Sequence, residues 1–434
     1  MVIVKVPHNG YDTCGKMYVK SFLLLIVLAI VTLLWIFRDY SSEMDRVKAE
    51  IISNDVNFEA RIVQSVTMDP SFATNSETKT KTILYWTKMF ASTNMYFGDG
   101  DIFASCPVRE CFATNNRTAL PIDDFDAIIF HAIDINVNDL PRRRSPHQRY
   151  VFLVLESPIS RPMPIISNFD NYFNWTMTYR RDSTLMRPYG KVVSLATGEY
   201  VPPHIPTTWR DVSEGTISDD LRKTIEGKTK MIAWFVSNCN SQSNREYLVD
   251  ELKRHVPVDI YGNCGSLECG RDRSNECLKM MGRTYYFYLA PENSLCHDYI
   301  TEKPFNALMY DVVPIVYGRV DYKTVLPPGS YIDIKDFTTA KQLADYLRAI
   351  SQNPKLYMEF FKWKSYFKVV VTPQNYTTCH LCKKLHELAE SPTVANNLYD
   401  WWTNGQCLER PSFRGAYSLE DLRRKMNECD VEYN

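Results

Sequence analysis

An excess of charge of either sign is missing from this 434-residue sequence, in which 50 lysines and arginines face 51 acidic residues. The formal net charge of −1 leaves no overall basic field to hold nucleic acid or an anionic membrane surface. Its only basic run, Arg142–Arg144, sits beside Pro141 and Pro146 and reads as a solvated loop. Nucleic acid is thereby excluded as a partner. Internal repeats and long low-complexity tracts are absent too, which excludes a solenoid. Tight pairs of metal ligands are also scarce. Cys379-His-Leu-Cys382 has CxxC spacing, but Cys106 and Cys111 lie further apart with no nearby histidine. Cys264, Cys269 and Cys277 form only a loose cluster, whereas a structural zinc site usually needs two tight pairs.

What is present begins with Ser21–Phe37, an uncharged apolar run near the lower length limit for a membrane-spanning helix. Trp35 suits an interfacial anchor, and Trp-Ile-Phe-Arg-Asp follows where a cleavable signal peptide would have small residues. Lys5, Lys16 and Lys20 precede the run, while acids and bases are mixed after it. The positive-inside rule then keeps residues 1–20 cytosolic, makes 21–37 a signal anchor, and sends the rest into the secretory lumen. Asn116, Asn174 and Asn375 open glycosylation triplets that agree with this orientation. Of the 12 cysteines only Cys14 precedes the anchor. The others enter an oxidising compartment, where disulfides rather than zinc are expected, and their odd number leaves one over.

Residues 38–80 are polar and aperiodic and read as a stem. Beyond them, short β-branched and aromatic runs bounded by turn residues predict strands at Thr82–Trp86, Asp126–His131 and Tyr150–Leu155. A polar stretch, Thr208–Lys230, suits an interdomain linker, after which the pattern restarts. Strands are predicted at Met231–Val236, Val258–Tyr261, Tyr285–Ala290 and Val312–Tyr317, with helices at Asn244–His255 and Thr301–Tyr310. Alternation of this kind implies an α/β fold: two Rossmann-like domains with parallel sheets, facing a cleft. The expected boundaries are 81–215 for the first domain, 216–370 for the second, and 371–434 for a C-terminal segment. Ligands in such sheets bind where strands give way to helices.

One such junction is dense in chemistry: FYLAPENSLCHDYITEKPFNALMYDVVPIVYG, Phe287–Gly318. A helix N-terminus presents unpaired N–H groups that suit a diphosphate, and Lys303 adds a point charge. Asn293 and Glu302 could share hydrogen bonds with sugar hydroxyls. The bland alternative is an ordinary βα unit whose Glu302 merely favours the helix start.

The segment resembles the nucleotide-sugar motif of the α1,3-fucosyltransferase family (glycosyltransferase family 10), in an invertebrate-type member. Glu292, Asn293, Asp298, Tyr299, Thr301, Glu302, Lys303, Asn306, Ala307, Pro314 and Gly318 carry the match. It extends to Phe173–Ser183, Pro188–Gly190, Trp234–Asn238, Tyr261-Gly262 and the late CxxC, over about residues 82–405. The resemblance implies a GT-B-like fold and inverting transfer of L-fucose from GDP-fucose to a GlcNAc-containing glycan of glycoproteins or glycolipids in the Golgi. Arg245 and Lys303 would hold the diphosphate, while Glu292, Asn293, Tyr299 and Glu302 would line the donor site. Glu156, in Leu155-Glu-Ser-Pro158, matches the family's candidate general base. A partly desolvated carboxylate at a strand end suits that task. The resemblance also pairs Cys106 and Cys111 with Cys379 and Cys382, which would pack the C-terminal segment 371–434 back on the first domain, and Cys239 with Cys264 is a further candidate.

No cofactor or catalytic metal is expected, although stimulation by a divalent cation such as Mn²⁺ and a homodimer are both compatible with this reading. Asp99-Gly-Asp101 and Asp124-Phe-Asp126 could bind a hard cation but read as loop acids, since a cationic donor motif stabilises a leaving diphosphate without metal. Pro291, where relatives carry an aromatic residue, is the one departure inside the motif that puts the strand geometry in question. The contrasting functional class is a catalytically inactive, membrane-tethered glycan-binding protein of the same fold.

Overall fold

The computed structural model describes residues 79–201, 208–270, 274–387 and 397–411. The expected tail, anchor and nearly all of the stem lie outside them, and no described helix is long and apolar enough to cross a membrane.

Two parallel sheets organise the chain. The first is ordered β2-β1-β3-β4-β5-β6, from β1 (Lys81–Tyr85), β2 (Cys111–Thr114), β3 (Ala127–His131), β4 (Arg149–Val154), β5 (Trp175–Thr178) and β6 (Leu185–Met186). The antiparallel pair of β7 (Gly190–Ser194) with β13 (Phe367–Val371) stands apart from both sheets. The second sheet is ordered β12-β11-β10-β8-β9, from β8 (Lys230–Phe235), β9 (Val258–Tyr261), β10 (Tyr285–Pro291), β11 (Val313–Tyr317) and β12 (Ile332–Asp333). Every pairing inside these two sheets is parallel, so both faces of each must be covered.

The second sheet is covered as βαβ logic requires. Helix Arg245–Lys253 packs Leu248 and Leu252 on one face, and helix Glu302–Met309 packs Phe305 and Leu308 on the other. Part of the expected linker is not linker. Asp219–Glu226 is a helix whose N-cap, Ser218, accepts from Leu221 N–H at 3.3 Å. Its Leu221 and Ile225 are buried in the core of the second sheet. Two apolar positions four apart, among acids and lysines, were too short a signal to read as an amphipathic stripe.

The first sheet departs from the Rossmann expectation. Its crossovers contain 3-10 turns but no α-helix among the described residues. Pro141 and Pro146 interrupt the β3–β4 connection, and Pro158, Pro162 and Pro164 interrupt the next, so no helix can propagate there. The C-terminal segment supplies the missing cover. Helix Gln374–His386 lays Leu381 and Leu385 against the face built by Ile83, Ile129 and Val151. Helix Leu398–Thr403 lays Leu398 and Trp402 against the face of Ile128, Phe130 and Phe152.

Disulfides secure that cover: Cys106–Cys379 and Cys111–Cys382 tie the first of these helices across the β1–β2 region. Cys239–Cys264, Cys269–Cys277 and Cys296–Cys407 complete five bridges, which use all ten described cysteines. Asn116 and Asn375 lie exposed. Asn174, expected as a glycan acceptor, does not. Its carboxamide is buried, accepting from Tyr150 N–H at 2.9 Å and from Arg144, so a glycan there would disrupt the start of the β4–β5 pairing it holds.

The two halves meet tightly at Gly190. A Cβ added there would sit 2.2 Å from Phe305 Cγ, on the helix that carries Glu302 and Lys303. Because Phe305 is itself buried, Gly190→Ala should cost about 1–3 kcal/mol by overpacking. Thermal denaturation checks this, and Phe305→Leu in the same chain should restore part of the loss.

Candidate active site

The site is built at the end of β10. Glu292 follows that strand with no exposed surface, and its carboxylate accepts from Thr301 N–H at 2.8 Å and Thr301 Oγ1 at 2.8 and 3.0 Å. Thr301 is the N-cap of helix Glu302–Met309, but its hydroxyl makes no capping bond because Glu292 takes it. Pro304 supplies no N–H to the first turn and the Glu302 N–H meets its own carboxylate, which leaves the Lys303 N–H as the first-turn amide without a side-chain cap. Lys303 closes the arrangement, with Nζ 2.8 Å from Glu292 Oε2 and 2.6 Å from Thr301 Oγ1. Two of its three N–H donors are thereby used, leaving one for a ligand. Burial opposes the Lys303 charge, but Glu292 and Glu302 outweigh it and hold its pKa above the ordinary lysine value. Glu302, 3.7 Å from Lys303 Nζ and 45% exposed, is the open carboxylate of the cluster. Partial burial pushes its pKa up, yet Lys303, its own backbone N–H, Thr301 and Arg245 carry it below the usual range, so it stays ionised.

Arg245 opens helix Arg245–Lys253 after Asn244, whose φ of 52° lets the chain turn into the helix. Its guanidinium is almost wholly buried, donates to Pro291 O at 2.7 Å, and has no hydrogen-bond partner at Nε. What it offers a bound anion is mainly charge acting through a poorly solvated medium. This contact also accounts for Pro291. The ladder of β10 with β8 pairs only as far as Tyr288 opposite Ala233, so the proline lacks no bond on that side. On the β11 side, Pro291 stands opposite Tyr317 and the ladder continues through Glu292 N–H to Tyr317 O at 2.9 Å. Arg245 takes the free carbonyl.

Glu156 arrives from the other sheet, two residues past the end of β4, half-buried. Burial raises its pKa above the ordinary glutamate value; Lys303 and Arg161 pull it down, while Glu302 and Glu292 push it further up. The structure therefore brings the expected base into the same field as the expected diphosphate cation. Tyr299 is placed differently from a ligand contact: it is buried, with its ring 4.8 Å from that of Tyr179. Glu292 likewise faces only Thr301 and Lys303. Both support the site from behind, leaving Glu302, Asn293 and Lys303 as the groups with exposed surface.

Several pairings that sequence reasoning did not anticipate hold the two sheets at this point. Asp298, at φ 59°, pairs with Arg181 Nε at 2.9 Å and accepts from Arg181 N–H at 3.1 Å. Ser157 and Ser160 meet Ser294. The C-terminal strand of chain behind the loop accepts from His297 N–H through Gln406 O at 2.7 Å and donates from Leu408 N–H to Leu295 O at 2.9 Å. Asp298 was visible as a motif residue, but its partner lies 117 positions away and no local signal names it.

The described residues bring three side chains to metal-binding range at Cys111, Cys382 and His386, where both sulfurs are already joined as a disulfide. Asp126 is engaged by Lys81 at 2.9 Å and by Thr82, as a loop acid rather than a free ligand.

Two family descriptions match the chain: "Fucosyltransferase, N-terminal" over residues 78–190 and "Glycosyltransferase family 10 (fucosyltransferase) C-term" over residues 225–401. The chain belongs to glycosyltransferase family 10. Family 10 relatives include Alpha-(1,3)-fucosyltransferase C of Drosophila melanogaster, 36% identical over 75% of this chain and 78% of that protein. Glycoprotein 3-alpha-L-fucosyltransferase A, also of Drosophila melanogaster, is 36% identical over 74% of this chain and 60% of its own length. A solved alpha1,3-fucosyltransferase with GDP is similar at a TM-score of 0.45 and 14% identity, over 75% of this chain and 95% of that one. Both fly relatives agree with an invertebrate-type member of the family.

Proposed function

We propose that this chain is an α1,3-fucosyltransferase that moves L-fucose from GDP-fucose to a hydroxyl of a GlcNAc-containing glycan, with inversion, in a GT-B arrangement. The observation that carries the reading is the seam joining the two sheets at this point: Ser157, next to Glu156, donates through its Oγ to Ser294 Oγ at 2.7 Å, two residues from the Glu292 that holds Lys303. In one displacement, Glu156 takes the proton of the acceptor hydroxyl as its oxygen bonds to the anomeric carbon. On the opposite face the bond from that carbon to the β-phosphate oxygen breaks, and the electron pair leaves on GDP. Lys303, through its ammonium and its backbone N–H, and Arg245 stabilise the charge that develops there. A type II anchor at residues 21–37 would hold this machinery in the Golgi lumen, where the exposed Asn116 and Asn375 are open to glycosylation.

The test incubates the purified protein with GDP-fucose and a panel of defined glycans. Mass spectrometry should find one added fucose on a GlcNAc-containing acceptor, and NMR of the product should show the inverted linkage. Saturable GDP binding without transfer to any acceptor would instead identify a glycan- or nucleotide-binding protein.

A further inference from the structure

Two loops, one behind each parallel sheet, touch through three serines. Ser157 follows Glu156 directly, and Ser294 follows Asn293 directly. Ser157 Oγ donates to Ser294 Oγ at 2.7 Å, and Ser160 Oγ lies 2.7 Å from that same oxygen. Ser160 N–H in turn donates to Ser157 Oγ at 3.2 Å, closing the turn that carries the base. Ser157 and Ser294 are both fully buried.

Counting protons gives this cluster a direction. A hydroxyl has one proton and two acceptor sites. Ser157 spends its proton on Ser294; with Ser160 donating as well, both acceptor sites of Ser294 are filled. The remaining proton of Ser294 then goes to Asn293 Oδ1, 3.3 Å away. An amide whose oxygen is held from behind turns its NH2 group the other way. Asn293 keeps exposed surface while Ser294 has none, so the NH2 end of the amide, not held by Ser294, is the end open to a ligand.

Resting on the transferase reading above, we propose that Ser294 is a positioning residue for the transfer. Driven by Ser157 and Ser160 from the base loop, it sets the Asn293 carboxamide as a hydrogen-bond donor to the donor sugar. The same contact fixes the distance between that sugar and Glu156. Three small hydroxyls suit the task because each can both donate and accept across the seam. A buried network of this kind has one low-energy orientation when every member is satisfied. Losing it would let the amide rotate and the two loops drift, and misplacement by about 1 Å can cost roughly 10²-fold in rate.

The experiment is a kinetic cycle on the full chain. Ser294→Ala should lower kcat by about 10- to 100-fold while the KM for GDP-fucose changes little, because the bound state keeps Lys303 and Arg245. Ser157→Ala combined with Ser160→Ala should reproduce that loss from the opposite side, and this variant carries the test if Ser294→Ala fails to fold. In an Asn293→Ala background, Ser294→Ala should add little further loss, since it acts through that amide. Full additivity in that background, or an unchanged kcat in the serine variants, would overturn the proposal while leaving the transferase reading intact. Absence of fucose transfer by the unaltered chain would overturn both.

Discussion

Lys303→Ala is expected to remove nearly all donor use and to destabilise the fold in the same stroke. Among the described residues Lys303 is the cation paired with Glu292, which has no contact with solvent and keeps only Thr301 when the ammonium is gone. Breaking a buried pair from one side costs about 3–5 kcal/mol, because the surviving charge has neither water nor partner. With 18% of its side chain exposed, Lys303 should sit toward the lower end of that range. For transfer, the loss of a preorganised charge at the leaving group corresponds to about 10²–10³ in kcat. Stability and chemistry separate in the double variant Glu292→Gln with Lys303→Ala. Replacing the orphaned carboxylate by a neutral amide should recover most of the melting temperature and none of the GDP affinity. Thermal denaturation and calorimetric titration with GDP read the two effects. Wild-type GDP affinity in Lys303→Ala would remove the residue from the donor site.

Glu156→Gln should lower kcat by about 10²–10⁴ with the KM for GDP-fucose nearly unchanged, as befits a group that acts on the acceptor hydroxyl. The pH profile supplies the sharper check. Burial favours the neutral form of Glu156, and the pull of Lys303 and Arg161 does not cancel it, so its pKa lies above the ordinary glutamate value. A base works only when deprotonated. Activity should therefore fall as pH is lowered through that raised value, at a higher pH than an exposed carboxylate would set. The Gln variant should show a low rate without that acid limb. Because Lys303 lowers the Glu156 pKa, residual activity in Lys303→Ala should lose its acid limb at a still higher pH. An identical limb in wild type and Glu156→Gln would assign the titration to another group.

Much of this was legible along the chain because it depends on near neighbours. Strands β1, β3, β4, β8, β10 and β11 announce themselves as short apolar runs, since a parallel strand buried on both faces carries apolar residues consecutively. Glu292, Thr301, Glu302 and Lys303 lie within a dozen positions of one another, so their grouping at a strand-to-helix junction follows from local geometry. Pro291 looked anomalous in that view. It ceases to be so once the register shows β8 pairing ending short of it and Arg245 taking its carbonyl. The helix at Asp219–Glu226 was hidden by its polar face, and the burial of Asn174 by a sequon that reads the same whether exposed or packed.

The sequence by itself determined the strands of the two parallel sheets and the grouping of charged residues at the strand-to-helix junction. Each is specified by side chains a few positions apart, whose periodicity and turn chemistry act locally. Tertiary structure alone decided which C-terminal helix covers which face of the first sheet, where proline-rich crossovers could form no helices of their own. It also decided that Glu156 enters the field of Lys303, and that Ser157, Ser160 and Ser294 join the loops carrying base and donor site. Those contacts link residues more than 130 positions apart, and pairings at that distance leave no trace in the local pattern because nothing in a short segment constrains its remote partner.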